Sequence, residues 1–188
     1  MSIIPQTGLL RKLFEEAVKD SEHKSLPFWQ AYLQQAFSES DIYSVTATNL
    51  NFHYSSLEDF HEQADIIVRR YDDVSNRLIS VLLLVECNWT VGVDDTEECK
   101  CSDKGRALEV ALKCIEEEEL LWVYVVTTVG VSFRAWVVEK GVEKLSPQYG
   151  LSASSSKGPT DAYIGIDTSD SGVLWETIDQ LKITTFLQ

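Results

Sequence analysis

The sequence predicts a single α/β domain in which helices flank a central mixed β-sheet. The stretch 79–85 is almost continuously apolar, which is typical of a strand covered on both faces by helices. Apolar residues recur every three or four positions in 9–18 and in 107–115, and this spacing indicates helices. A chain of 188 residues is long enough for one core and need not contain two.

The first third of the chain combines two helices with a strand. After a tail at 1–8, the helix at 9–18 comes first, and Pro27 predicts the start of a second helix because proline is favoured in a first helical turn. The segment 43–54 is rich in Thr, Val, Tyr and Phe, which predicts a strand. A capping-box pattern at 55–60 predicts a short helical turn before the next strand.

The middle of the chain predicts a hairpin followed by a helix. Strands at 64–71 and 78–89 are joined by the turn-forming sequence 72–76, so antiparallel pairing is the simplest connection. The segment 90–103 is acidic and irregular, which predicts an exposed loop. The helix at 107–115 then leads to a row of four glutamates, which we interpret as a solvated helix end.

The last third predicts a second hairpin and a closing helix. Strand-like runs at 120–128 and 133–139 flank a glycine turn. The segment 146–160 is rich in Ser, Gly, Pro and Lys, which predicts a mobile surface loop. A short strand at 162–166 and a helix at 171–181 complete the domain, which spans 1–188.

Charge and cysteine content restrict the partners and the compartment. The net charge of −14, from 30 acidic and 16 basic residues, disfavours a nucleic-acid partner but is compatible with a divalent cation. A small-molecule or protein partner is therefore expected, and no apolar run is long enough for a membrane. The four cysteines follow no secretory signal or zinc pattern, so an intracellular, cytoplasmic or nuclear protein is expected.

Two carboxylates stand at the edges of otherwise apolar strands. Asp65 precedes the run Ile66–Val68, and Glu86 follows the run Leu82–Val85. Carboxylates are rarely placed there unless they are paired, hydrogen-bonded or bound to a cation. The hairpin would bring the two side chains together on neighbouring strands, so Asp65 and Glu86 are the candidate catalytic acids and metal ligands.

At these positions the chain resembles the PD-(D/E)xK nuclease-like superfamily, in particular its small versions in filamentous fungi. Asp65 stands where that superfamily has the Asp of its Pro-Asp motif, and Glu86-Cys87-Asn88 stands where it has Glu-x-Lys. The resemblance covers 9–181 in element order and implies a restriction-endonuclease-like core. It also implies that Asp65 and Glu86 bind Mg²⁺ and activate a water for phosphodiester hydrolysis.

Asn88 is the main departure from this pattern. Asn can orient a water by hydrogen bonding, but it carries no charge with which to stabilise a developing anion as Lys would. A substitute cation could come from Lys104 or Lys113 on the following helix. The accessory candidates are Glu15, Lys104, Glu109 and Trp89.

Each candidate also has a simple structural interpretation. Asp65 could accept backbone hydrogen bonds at the edge of its strand, and Glu86 could pair with Arg69 or Arg70 across the hairpin. Lys104, Arg106 and Glu109 could form a solvated helix surface.

Three functions follow from these alternatives. The first is a binding or regulatory module with a degenerate centre and weak or no phosphodiesterase activity, which Asn88 and the negative charge favour. The second is an active Mg²⁺-dependent nuclease, a hydrolase that uses Asp65 and Glu86. The third is a small-molecule enzyme with Asp65 or Glu86 as general acid or base and with Trp89 and Tyr124 shaping an apolar pocket.

Overall fold

A computed structural model describes residues 3–47, 64–72, 77–88, 97–148 and 163–184. Within these ranges the chain forms an α/β fold, a mixed sheet flanked by helices. The elements in chain order are α1 (Leu9–Lys19), α2 (Ser21–Ala36), β1 (Tyr43–Ala47), β2 (Ile66–Asp72), β3 (Arg77–Asn88), α3 (Glu97–Glu117), β4 (Trp122–Val129), β5 (Ser132–Glu139), β6 (Ser146–Pro147), β7 (Ile164–Gly165) and α4 (Gly172–Thr184). No helix in the described part of the chain is long and apolar enough to cross a membrane.

The sheet is antiparallel except at its centre. Its order is β1-β2-β3-β4-β5-β6, and β7 also pairs with β5. Strands β3 and β4 are parallel, with Glu86 opposite Thr127, because α3 carries the chain back between them. Both predicted hairpins, β2–β3 and β4–β5, are confirmed.

Helices cover both faces of the sheet, as the continuous apolar run in β3 predicts. On one face α1, α2 and α4 pack against alternate residues of the strands, among them Val85 and Phe133. On the other face α3 packs against the residues between them, among them Leu84 and Val125. The candidate site lies on the α3 face, so this division decides which side chains can reach it.

Two helices begin earlier than the sequence analysis predicts. Helix α2 begins at Ser21 and not at Pro27, because the side chain of Asp20 accepts a hydrogen bond from the His23 N–H and caps the helix. Pro27 lies inside α2, where it costs one backbone hydrogen bond without ending the helix. Helix α3 begins at Glu97, so the second half of the predicted loop at 90–103 is helical.

Several other predictions extend beyond the described residues. These are the strand continuation at 48–54, the helical turn at 55–60, the turn at 73–76, the first part of the acidic loop and residues 149–160 of the predicted mobile loop. At the start of that loop, Ser146–Pro147 pairs with β5 as a short strand. In the predicted N-terminal tail, Ile4 is buried in the core between the sheet and α1, α2 and α4.

A hydrogen bond from Trp29 fixes α2 to the turn between β4 and β5. The indole Nε1 of Trp29 donates to the carbonyl oxygen of Gly130 at 2.8 Å, across 101 residues of sequence. Gly130 has a φ of +57°, a conformation that favours glycine. A Cβ at this position would also lie 3.3 Å from the Cβ of Ser21. Glycine therefore allows the turn to approach the start of α2 closely.

Candidate functional site

Asp65 connects the two strands of the first hairpin. It lies just before β2, is only 3% exposed, and its Oδ2 accepts a hydrogen bond from the backbone N–H of Cys87 at 2.7 Å. Ile66 pairs with Val85 in the antiparallel register, which places Asp65 beside the end of β3. The carboxylate therefore satisfies a buried backbone donor, which is the simple structural interpretation of this residue.

The second oxygen of Asp65 faces a positive charge. The Nη2 of Arg106, on α3, lies 3.8 Å from Oδ1 of Asp65. The Arg106 side chain is about one-third exposed, whereas the carboxylate is buried. An arginine of α3 thus approaches Asp65, at the point where the nuclease pattern implies a metal ion and a lysine.

The strand register excludes Arg69 and Arg70 as direct cross-strand partners of Glu86. Arg69 pairs with Val81 and Arg70 with Ile79, several residues along β3 from Glu86. At about 3.4 Å per residue, neither arginine is directly across the hairpin from Glu86. The backbones of Glu86 and Asn88 lie in β3, and the side chains of both residues are outside the described part of the structure.

The accessory candidates do not gather around Asp65 in the described part of the chain. Glu15 lies on α1, on the other face of the sheet, and pairs with Arg11 at 3.0 Å. Glu109 is exposed on α3. Lys104 lies in α3, but its side chain is outside the described residues, as is the whole of Trp89.

Both carboxylate oxygens of Asp65 have contacts within the protein. One oxygen accepts the Cys87 N–H and the other faces the Arg106 guanidinium, which repels a metal ion. Among the side chains that the structure describes, no three His, Cys, Asp or Glu residues come together. A magnesium site at Asp65 and Glu86 therefore stays a prediction.

A second polar cluster occupies the same face of the sheet. We define the Thr127 cluster as Thr127, Arg134, Trp136 and Tyr163. The indole Nε1 of Trp136 donates to Oγ1 of Thr127 at 2.9 Å, and the hydroxyl of Tyr163 lies 3.0 Å from the same oxygen. Thr127 pairs with Arg134 across the β4–β5 hairpin, so the cluster joins both strands at the end where β3 and β4 terminate.

Arg134 is the most unusual member of this cluster. It is only 7% exposed, and its guanidinium stacks 4.1 Å from the centre of the Trp136 ring. Desolvation lowers its pKa, yet arginine remains charged at neutral pH. A desolvated cation–π contact contributes about 2 kcal/mol or somewhat more, whereas burial of an unpaired charge costs several kcal/mol. The ring therefore offsets only part of the desolvation cost.

The sequence analysis overlooked the Thr127 cluster, although the signal was present. Arg134 is the one charge inside the apolar run Phe133–Val138. The argument that singled out Glu86, a charge in a buried strand, applies equally to Arg134. Trp136 lies two residues later and therefore on the same face of the strand. Tyr163 could not be assigned in this way, because its place depends on long-range pairing of β7 with β5.

A small cavity lies beside the candidate site, between α3 and the β2–β3 hairpin. Its volume is about 190 Å³, its floor includes Ile67 and Leu84, and Lys113 and Glu117 are among its charged lining residues. Cys114 also lines it, and burial raises the pKa of this thiol to about 12, so the thiol is not an activated nucleophile.

The apolar pocket expected for a small-molecule enzyme is not formed by Tyr124. This residue packs on the face covered by α1, α2 and α4, with its ring 5.2 Å from that of Trp122. Asp65 interacts with Arg106 of α3, on the opposite face. Tyr124 therefore lies on the face of the sheet opposite the contact between Asp65 and Arg106.

We expect Thr127→Val to destabilise the protein by about 1–3 kcal/mol, because it leaves the buried Trp136 N–H without its acceptor while preserving side-chain shape. Urea unfolding followed by circular dichroism measures this change. Thr127→Ser keeps the hydroxyl and is the matched control, with a smaller expected loss. Equal stability of the Val variant and the wild type would show that the hydroxyl does not hold the cluster together.

Comparison of the chain with protein-family models, curated proteins and solved structures gave no match. The two clusters described above, around Asp65 and around Thr127, are therefore the basis on which a function is inferred.

Proposed function

We propose that this chain is a binding or regulatory module built on a restriction-endonuclease-like core, with weak or no phosphodiesterase activity. The proposal rests on two contacts that the carboxylate of Asp65 makes within the protein. Its carboxylate accepts the Cys87 N–H and faces the Arg106 guanidinium. An acid that joins two strands and pairs with an internal cation serves the fold rather than a metal.

The order of elements supports the core assignment. A helix, a strand, a hairpin, a helix and a strand parallel to the second arm of the hairpin follow one another, as the resemblance to the nuclease superfamily implies. Asp65 lies directly before β2, and Glu86 lies on the adjacent strand β3. This connection is the one that a restriction-endonuclease-like core would have, and it supports the proposal.

The chemistry of phosphodiester hydrolysis explains why this centre favours binding. Hydrolysis requires a metal to lower the pKa of the attacking water and a charged group to stabilise the developing anion. Arg106 competes with a metal for Asp65, and Asn88 supplies no charge at the lysine position. The net charge of −14 further disfavours a long nucleic-acid substrate.

A cleavage assay tests the proposal. Purified protein is incubated with double-stranded DNA, single-stranded DNA and RNA in the presence of Mg²⁺ or Mn²⁺, and the products are resolved by gel electrophoresis. We expect all substrates to remain intact after prolonged incubation.

The control variants Asp65→Asn and Glu86→Gln distinguish genuine cleavage from contamination. Cleavage by the wild type that both variants abolish would contradict the proposal and establish the alternative, an active metal-dependent nuclease. A calorimetric titration with Mg²⁺ provides a second measurement, and we expect no binding heat that depends on Asp65.

A further inference from the structure

Arg134 presents a buried positive charge without a negative partner in the described part of the chain. Its described interactions are the stacking on Trp136 and the electrostatic influence of Tyr163. No carboxylate of the described residues forms an ion pair with it. By contrast, Arg11 and Arg106, on the helices, each face at least one carboxylate.

Neutral contacts do not compensate for this charge. The Trp136 ring offsets only part of the desolvation cost, as described above, and a hydroxyl carries no full charge. A guanidinium also presents five N–H donors in a planar fork, which matches the geometry of a carboxylate or phosphate group. An anion with oxygen atoms would therefore match the guanidinium, which forms no ion pair with a carboxylate of the described residues.

The surroundings of Arg134 also suit a ligand. Arg134 pairs with Thr127 near the carboxyl ends of the parallel strands β3 and β4. Ligands of open α/β sheets commonly bind outside the carboxyl ends of parallel strands. The half-buried hydroxyl of Tyr163, held by Thr127, adds a polar group on the same face.

We propose that the Thr127 cluster binds a small oxyanion, a carboxylate or a phosphate group, through the guanidinium of Arg134. This inference rests on the proposed function, because it names the ligand class of a module that binds rather than cleaves. A small anion needs one strong cation at short range, whereas a nucleic acid must approach a surface of net charge −14 over a long stretch.

Thermal unfolding with added anions tests the inference. The wild type, Arg134→Met and Arg11→Met are compared in inorganic phosphate, in succinate and in sodium chloride at equal ionic strength. The Met side chain keeps the aliphatic stem of Arg134 and removes its charge. Arg11→Met makes the same charge change on α1, where Arg11 already pairs with Glu15 and Asp167.

For the wild type and Arg11→Met we expect the Tm to rise by about 3 °C or more in roughly 20 mM phosphate or succinate, relative to chloride. For Arg134→Met we expect no such rise. The anion that gives the larger shift distinguishes a phosphate ligand from a carboxylate ligand. In chloride alone, Arg134→Met should match or exceed the wild-type Tm, because the variant removes a buried charge that has no ion-pair partner among the described residues.

Two results would overturn the inference. One is an equal response of the wild type and Arg134→Met to both anions. The other is a wild type that responds to neither anion; if Arg134→Met then also unfolds at a lower Tm, a carboxylate of the chain neutralises the arginine. If Arg134→Met does not fold, Arg134→Lys replaces it, with an expected weaker response because the planar fork is lost.

A spectroscopic measurement on the unaltered protein is independent of variant stability. In ¹H–¹⁵N spectra, the Nε–H resonance of Arg134 should shift with phosphate or succinate but not with chloride. An unchanged resonance would overturn the inference. Nucleic-acid cleavage would instead contradict the proposed function, so the two failures are distinguishable.

Discussion

Replacement of Asp65 by Ala is expected to lower the free energy of unfolding by about 2–4 kcal/mol. The buried N–H of Cys87 loses its acceptor, and Arg106 loses the carboxylate that it faces. The first effect contributes the larger part, because Arg106 is about one-third exposed and water screens its charge. Urea unfolding at neutral pH, followed by circular dichroism, measures the change.

Two matched variants separate these effects. Asp65→Asn keeps an acceptor for the Cys87 N–H but removes the charge, so its expected loss is about 1 kcal/mol. When Arg106 is already replaced by Met, Asp65→Ala should lower the free energy of unfolding by less than it does in the wild type. The difference between the two losses is the coupling energy of the pair. Asp65→Ala with wild-type or higher stability would contradict a structural role and would favour a metal-binding acid.

Replacement of Trp29 by Ala is expected to cost about 3–5 kcal/mol. Trp29 is 1% exposed, packs edge-on against the rings of Phe28, Tyr32 and Phe133, and donates a hydrogen bond to Gly130. Its removal leaves a large cavity between α2 and the sheet. Urea unfolding measures the loss.

Trp29→Phe is the control that isolates the hydrogen bond. It keeps an aromatic ring in the cluster but removes the indole N–H, so we expect a loss of about 1–2 kcal/mol, well below that of Ala. Equal losses for the two variants would show that ring volume contributes little and that the contact with Gly130 dominates.

Much of the fold could be predicted because the sequence repeats its apolar residues with clear periods. The run in β3 indicates a strand buried on both faces, and the row of glutamates at the end of α3 is solvated as expected. The start of α2 was missed because Pro27 resembles a first-turn proline, whereas the cap of Asp20 depends on a local hydrogen bond. The proline at position 27 therefore predicted a later helix start than the one that the Asp20 cap sets.

The candidate site was predictable only in part. The sequence analysis placed Asp65 beside β3, and the register confirms that neighbourhood. Arg106 approaches Asp65 because of the way α3 lies across the sheet. The spacing of apolar residues along α3 does not predict this orientation, so it could not distinguish Arg106 from the nearby lysines. Arg134 carries the same sequence signal as the two carboxylates, because a lone cation in a buried strand is equally costly.

The bond between Trp29 and Gly130 also sets an order of events during synthesis. The two residues are separated by 101 positions, so at about 5–20 residues per second the partner of Trp29 is made roughly 5–20 s after Trp29 itself. Until then, the core around α1 and α2 contains residues of β2 and β3 but lacks Phe133 of β5 and the whole of α4. The apolar faces of the two N-terminal helices are therefore only partly covered until the C-terminal part of the chain is made.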